Sequence, residues 1–207
     1  MPDALDDVLS QIPVKSFKKP KILLSHLVEA YGVGVPPLMI TPMTDLLKEA
    51  GGHPFHIGTP DPEMRRIASW ILTSFGVQKK QLRSVIDALW KRNGREDLKL
   101  VGLLLANVGP DGLDEKPWDV FFELISGNSS LALEVVLEIA EEMSRAGYEL
   151  PENNILENFS KRGKVEHQCA VLILTLRRGI DLPRELICSA PEGGELFERI
   201  RSRLLAA

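Results

Sequence analysis

The chain has 207 residues, with 25 lysines and arginines against 29 aspartates and glutamates and a formal net charge of -4. That length suits one domain of ordinary size, or one with a small N-terminal extension, and the acidic balance excludes a protein that holds nucleic acid by bulk charge alone. No run of roughly 18 apolar residues is present to span a membrane, and Met1-Pro-Asp-Ala-Leu-Asp-Asp lacks the basic-then-apolar export pattern, so a cytoplasmic protein is expected.

Residues 1–57 are expected to form an N-terminal helical cap of short helices. Val14 to Lys21 is basic and punctuated, and Gly32 to Pro42 reads as a Gly/Pro-rich loop. From residue 58 to 207 helix punctuation takes over. Pro42, Pro62, Pro117, Pro151 and Pro183 each precede a helical pattern, and proline suits a first helical turn because its missing N–H costs nothing there. Thr41 and Asp61 stand before two of them, where capping residues belong. Gly76, Gly94, Gly109, Gly127, Gly147, Gly163 and Gly179 mark the helix ends, since glycine accepts the left-handed conformation that stops a helix.

Between these marks the apolar spacing is helical. Leu82, Val85, Ile86, Leu89 and Trp90 fall at steps of three and four. Leu131, Leu133, Val135, Val136, Ile139, Ala140 and Met143 make one wide face. Cys169 to Leu176 is apolar nearly all round, which predicts a central helix. No strand is expected: Asn93-Gly94 and Asp111-Gly112 are turn dipeptides without the flanking alternation a hairpin needs. Two helices with their turns take about 32–38 residues by the glycine marks, near the period of roughly 33–47 residues of two-helix solenoid repeats. The expected fold is an all-α, α-α superhelix of HEAT-like helical repeats.

Most catalytic signatures are absent. Gly32-Val33-Gly34 lacks the third glycine of a phosphate loop and follows a helix, and no nucleophile-elbow serine occurs. His53 and His56 stand three apart in a loop and read as structural or solvent-facing rather than as metal ligands. Cys169 and Cys188, two isolated thiols, read as packing residues. No metal or cofactor is expected. The residues that remain are cations near helix starts, namely Arg65, Arg66, Lys79, Lys80, Arg83, Lys161, Arg162 and Lys164. Helix N-termini suit phosphate oxygens, and successive helix starts in a stack can line one surface and follow a DNA backbone. The second group is Trp118-Asp119 with Glu123 on the same predicted helix, where an indole beside a carboxylate can meet a cationic base.

The order Phe55-His56-Ile57-Gly58-Thr59-Pro60-Asp61-Pro62-Glu63-Met64-Arg65, then Leu89-Trp90, then Arg95-Glu96, then Trp118-Asp119 resembles the DNA alkylation repair family of HEAT-like alkylpurine glycosylases. The resemblance runs from about Gly58 to Thr175. It implies a curved helical stack that grips duplex DNA through its phosphate backbone. It also implies an N-glycosylase that steadies a departing cationic base with aromatic and acidic side chains. On that footing Asp119 and Glu123 are the candidate catalytic acids. Trp118, Arg65, Lys79, Lys80, Arg83, Lys161, Arg162 and Lys164 are the candidate DNA contacts. The chain departs from the family pattern at two places: Phe122 takes the position of the acid in Trp-Asp-x-Val-Asp, and Cys169 that of a later arginine. The alternative is a non-catalytic helical-repeat scaffold for a protein partner.

Overall fold

A computed structural model describes residues 3–36, 53–75, 78–109, 111–126, 131–177 and 182–206. The marks at Thr41, Pro42, Gly76, Gly127 and Gly179 lie outside these residues. Among the described residues the fold is all-helical, with no strand. The α-helices are α1 (Ala4–Gln11), α2 (Pro20–Gly32), α3 (Asp61–Phe75), α4 (Lys79–Arg92), α5 (Arg95–Asn107), α6 (Pro117–Ile125), α7 (Leu133–Arg145), α8 (Asn153–Ser160), α9 (Lys164–Leu174), α10 (Arg184–Cys188) and α11 (Glu195–Ala206). A short 3-10 helix, Val14–Lys18, precedes α2. No described helix is long and apolar enough to cross a membrane.

The chain forms two compact units, Met1–Asp114 and Glu115–Ala207. The sequence places a boundary at 57/58 instead. The compact division differs because the N-terminal helices are part of the first core: α1 and α2 pack on α3, and α2 also packs on α4. Much of their apolar surface is covered in the process, with Leu5, Leu23, Leu27 and Tyr31 fully buried.

In the first unit, α4 and α5 form an antiparallel hairpin joined by Asn93-Gly94 alone. Asn93, not Gly94, takes the left-handed turn that ends α4, at φ 60. Asparagine tolerates that region better than most residues. Gly94 has an ordinary negative φ and serves α5 as its N-cap. A Cβ there would sit 2.0 Å from Phe55 Cζ, so this glycine answers to space rather than to torsion. Helix α3 runs alongside α5 in the same direction. Asp61 at its start pairs with Lys99, and Leu72 and Thr73 further along share a cleft with Leu103 and Asn107. Helix α5 is the core of this unit, with Leu98, Leu100, Val101, Leu103, Leu104 and Leu105 all without exposure.

The second unit is organised around α9. Its residues Gln168 to Leu174 are all buried, and it packs on α6, α7, α8 and α11. An all-round apolar sequence has no other stable place, and the expected central helix is found there. Proline 117 opens α6 in the first turn, as its position predicts. Gly147, at φ 88, ends α7 in the left-handed conformation that only glycine adopts at no steric cost.

Candidate functional site

The segment from His53 to Gly58 and the turn from Asn93 to Glu96 meet at one corner of the first unit, while Trp118-Asp119 lies in the second. The loop before α3 lies against the α4–α5 turn. Glu96, almost fully buried, accepts hydrogen bonds at Oε1 from the N–H groups of Ile57 at 2.9 Å and Gly58 at 2.8 Å. The N–H of Arg95 donates to the Phe55 carbonyl at 3.0 Å. Phe55 covers Gly94 on one side and stacks under the Arg92 guanidinium at 5.3 Å on the other. His53 is buried with Nδ1 3.2 Å from the Asn93 carbonyl, and burial holds its imidazole below the usual range. These groups clamp backbone to backbone, with the partly exposed His56 Nε2 3.8 Å from Glu96.

Behind this corner lies a buried ionic group. Asp97, with no solvent exposure, takes Arg92 Nε at 2.6 Å and Nη2 at 2.5 Å, and accepts the Tyr31 hydroxyl at 3.0 Å. Arg92 Nη1 also donates to the Leu24 carbonyl at 2.6 Å. Burial pushes the Asp97 carboxyl up, against the pull of Arg92 and Tyr31. Burial alone would lower the Arg92 guanidinium, but its bonds to Asp97 hold it above its usual value. Burial also raises the Tyr31 hydroxyl well above its ordinary value. The two directions agree with the geometry. Asp97 is the fully enclosed partner and bears the desolvation cost, while half-buried Arg92 keeps contact with water.

The candidate DNA contacts of the first unit are largely matched by carboxylates. Arg65 Nε meets Asp61 at 2.6 Å, Arg83 Nε meets Asp87 at 3.0 Å, and Lys79 lies 3.8 Å from Asp114. Arg66 bridges Asp3 and Asp6, both at 2.7 Å. Asp61 also takes Lys99 at 2.6 Å, and the bond from Lys99, with that from Arg65, holds its carboxyl below the usual range. Lys80 is exposed. The starts of α3 and α4 fall at opposite ends of the bundle, because α4 is antiparallel to α5 and α3 parallel to it. A helix of 15 residues such as α3 separates those ends by about 22 Å, so Arg65 and Lys79 do not line one edge.

In the second unit, Lys161 and Arg162 stand in the α8–α9 turn and Lys164 at the start of α9, all exposed. Arg162 lies over the Phe159 ring at 5.5 Å, with Nη1 3.4 Å from Ser126 Oγ. Trp118 is only 8% exposed. It packs against Phe121 and Phe122, with ring centroids 6.2 and 6.1 Å away, and Phe122 stacks on Phe159 at 4.4 Å. Phe122, which stands where the family pattern has its acid, is therefore part of an aromatic core. Asp119 and Glu123 share a face of α6, one turn apart, and both are exposed. The acids face water and the indole faces the core, so the stacking surface and the carboxylates do not meet at one point in space.

A feature the sequence reading missed lies between α7, the end of α9 and α11. Leu196, Ile200 and Leu204, spaced by four along α11, form a stripe that stays half-buried. They face Leu137 of α7 and Leu176 across a groove of about 690 Å³. Arg145, Arg199 and Arg203 rim it, together with Glu141 and Ser144. Arg145 is occupied by Glu142 at 3.4 Å and Glu141 at 3.7 Å. The signal was in the sequence: three apolar residues at i, i+4 and i+8 on a helix that buries Phe197 alone. Among the described residues no cluster of histidine, cysteine, aspartate and glutamate could hold a metal ion. No protein-family model, no curated protein and no solved structure matches the chain.

Proposed function

We propose that this chain is a non-catalytic scaffold of HEAT-like helical repeats whose second unit holds a segment of a partner protein. The hairpins α4–α5 and α8–α9, closed by links of two and three residues, support the repeat reading. The observation that carries the binding reading is the groove lined by Leu196, Ile200, Leu204, Leu137 and Leu176. Helix-in-groove recognition uses apolar anchors at such spacing, and a helix with one fully buried side chain leaves that stripe for another chain to cover. The rim of arginines and glutamates fixes orientation rather than supplying the attraction.

A second reading, duplex DNA held through its phosphate backbone, draws on Lys80, Lys161 and Lys164. These are exposed and have no ion pair among the described residues. In its enzymatic form Asp119 and Glu123 would steady a departing methylated purine.

One set of measurements separates the two. Helical peptides selected from a random library on the full chain should lose at least about tenfold in affinity for the Ile200→Glu variant, which removes the apolar stripe. A selection in which no peptide loses affinity for Ile200→Glu would sink the groove reading. A duplex shift that weakens with salt and with Lys161→Gln plus Lys164→Gln would favour DNA. Release of a methylated purine, lost in Asp119→Asn or Glu123→Gln, would make the chain an enzyme.

A further inference from the structure

The basic stretch from Lys15 to Lys21 takes no part in the groove of the second unit. It borders a separate hollow in the first. Pro20, Ile22 and Ala88 form the floor, and Lys19, Lys21 and Lys91 stand around it, with Ser84 and Asp87 completing the lining. The sequence produces the hollow by omission. Ser84 and Ala88 are small and one turn apart on α4, so nothing fills the space opposite the start of α2, and Ile22 remains 43% exposed. The volume is about 670 Å³. Its two walls are fixed to each other by the bond from Arg92 on α4 to the Leu24 carbonyl on α2.

The charge around this floor is mostly positive, three lysines against one carboxylate. Asp87 is engaged by Arg83. Lys19, Lys21 and Lys91 have no ion pair among the described residues. Lys15 and Lys18, on the adjoining 3-10 helix, are exposed as well. The first unit holds 14 lysines and arginines against 13 acids, a net +1 within a chain of -4. A nucleic-acid backbone would use the cations and leave the apolar floor idle.

We propose that this hollow docks an acidic amphipathic helix of a partner protein. Its apolar side chains rest on Pro20, Ile22 and Ala88, and its carboxylates meet Lys19, Lys21 and Lys91. The lysine stems extend the apolar wall while their ammonium groups stay in water at the rim. Opposite charges speed encounter and fix register, and the apolar contact supplies most of the residence time.

The test is fluorescence anisotropy on the full chain with a labelled peptide of about 18 residues, its leucines at helical spacing and glutamates elsewhere. Polyglutamate, duplex DNA and the same peptide with lysine for glutamate serve as comparison probes. The glutamate peptide should bind at least about tenfold more tightly than the lysine peptide, and Lys21→Gln with Lys91→Gln should erase about that factor. Ile22→Ser should weaken the glutamate peptide several-fold and leave polyglutamate unchanged, because polyglutamate has no side chain for the floor. All three positions are exposed, and an unchanged circular dichroism spectrum verifies that the variants fold. Equal binding of the lysine peptide, or no binding of the glutamate peptide, would overturn the proposal. Polyglutamate or DNA binding as tightly as the peptide with no effect of Ile22→Ser would overturn it too, and would leave a surface that reads charge alone.

Discussion

At Asp97 a single side chain ties three elements of the first unit together. It has no exposure, and its two oxygens are taken by Arg92 and Tyr31. Removing the carboxylate leaves a guanidinium in a partly desolvated place and a buried hydroxyl without its acceptor. Breaking a buried pair from one side costs about 3–5 kcal/mol. Asp97→Ala should therefore lower the denaturant midpoint sharply. Tyr31→Phe, which removes one neutral donor, should cost only about 1 kcal/mol. Equal losses from the two variants in urea titrations would show that the ion pair contributes little. None of this was readable from spacing, because Tyr31 and Asp97 lie 66 positions apart. Arg65–Asp61 and Arg83–Asp87 are different: each is four apart on one helix, a pairing that spacing does predict.

At the scale of elements, helix positions were legible and helix ends less so. Pro117 opening α6, the all-round apolar α9 and the three- and four-residue steps of α4 follow from local periodicity. The turn from α4 to α5 does not, because its logic is tertiary. A glycine after an apolar run signals a left-handed stop, yet Asn93 provides the stop and Gly94 makes room for Phe55. Replacing Gly94 by alanine leaves the torsions acceptable but drives a methyl group into the ring. Overpacking of that kind costs about 1–3 kcal/mol. Asn93→Gly, which relieves a left-handed non-glycine residue, should be neutral or slightly stabilising. Thermal melts of the two variants are the measurement. A harmless Gly94→Ala would mean that Phe55 moves aside freely and that the clasp is loose.

For the molecule as a whole, charge is divided unevenly. The first unit is close to neutral at +1, so the second, with 11 basic and 16 acidic residues, carries -5. The pairs Asp3–Arg66 and Asp61–Lys99 belong to the first unit. The backbone bond from Leu5, followed by Arg66, holds Asp3 below its usual 3.8, and Lys99 does the same for Asp61. A carboxyl depressed in the folded state adds stability that is complete above 3.8 and is lost as pH falls through its folded value. Both groups are well exposed, so solvent screening keeps the effect small. Urea midpoints measured between neutral pH and pH 2 should fall on the acid side, and Asp61→Asn should flatten that fall. An unchanged slope in the variant would exclude the Asp61 contribution. The candidate site was legible in part: the acids and cations stand where helix positions put them, and Trp118 meets Phe121 and Phe122 at helical spacing, but Phe122 closes on Phe159, and residues 37 positions apart announce no contact. The two thiols differ in the same way, since Cys169 is enclosed in α9, where burial pushes its thiol up, while Cys188 at the end of α10 is open to solvent. The exposed thiol is thereby a single chemical handle: a maleimide dye added to the native protein marks one address, on the short helix that packs against α11, without any engineered cysteine.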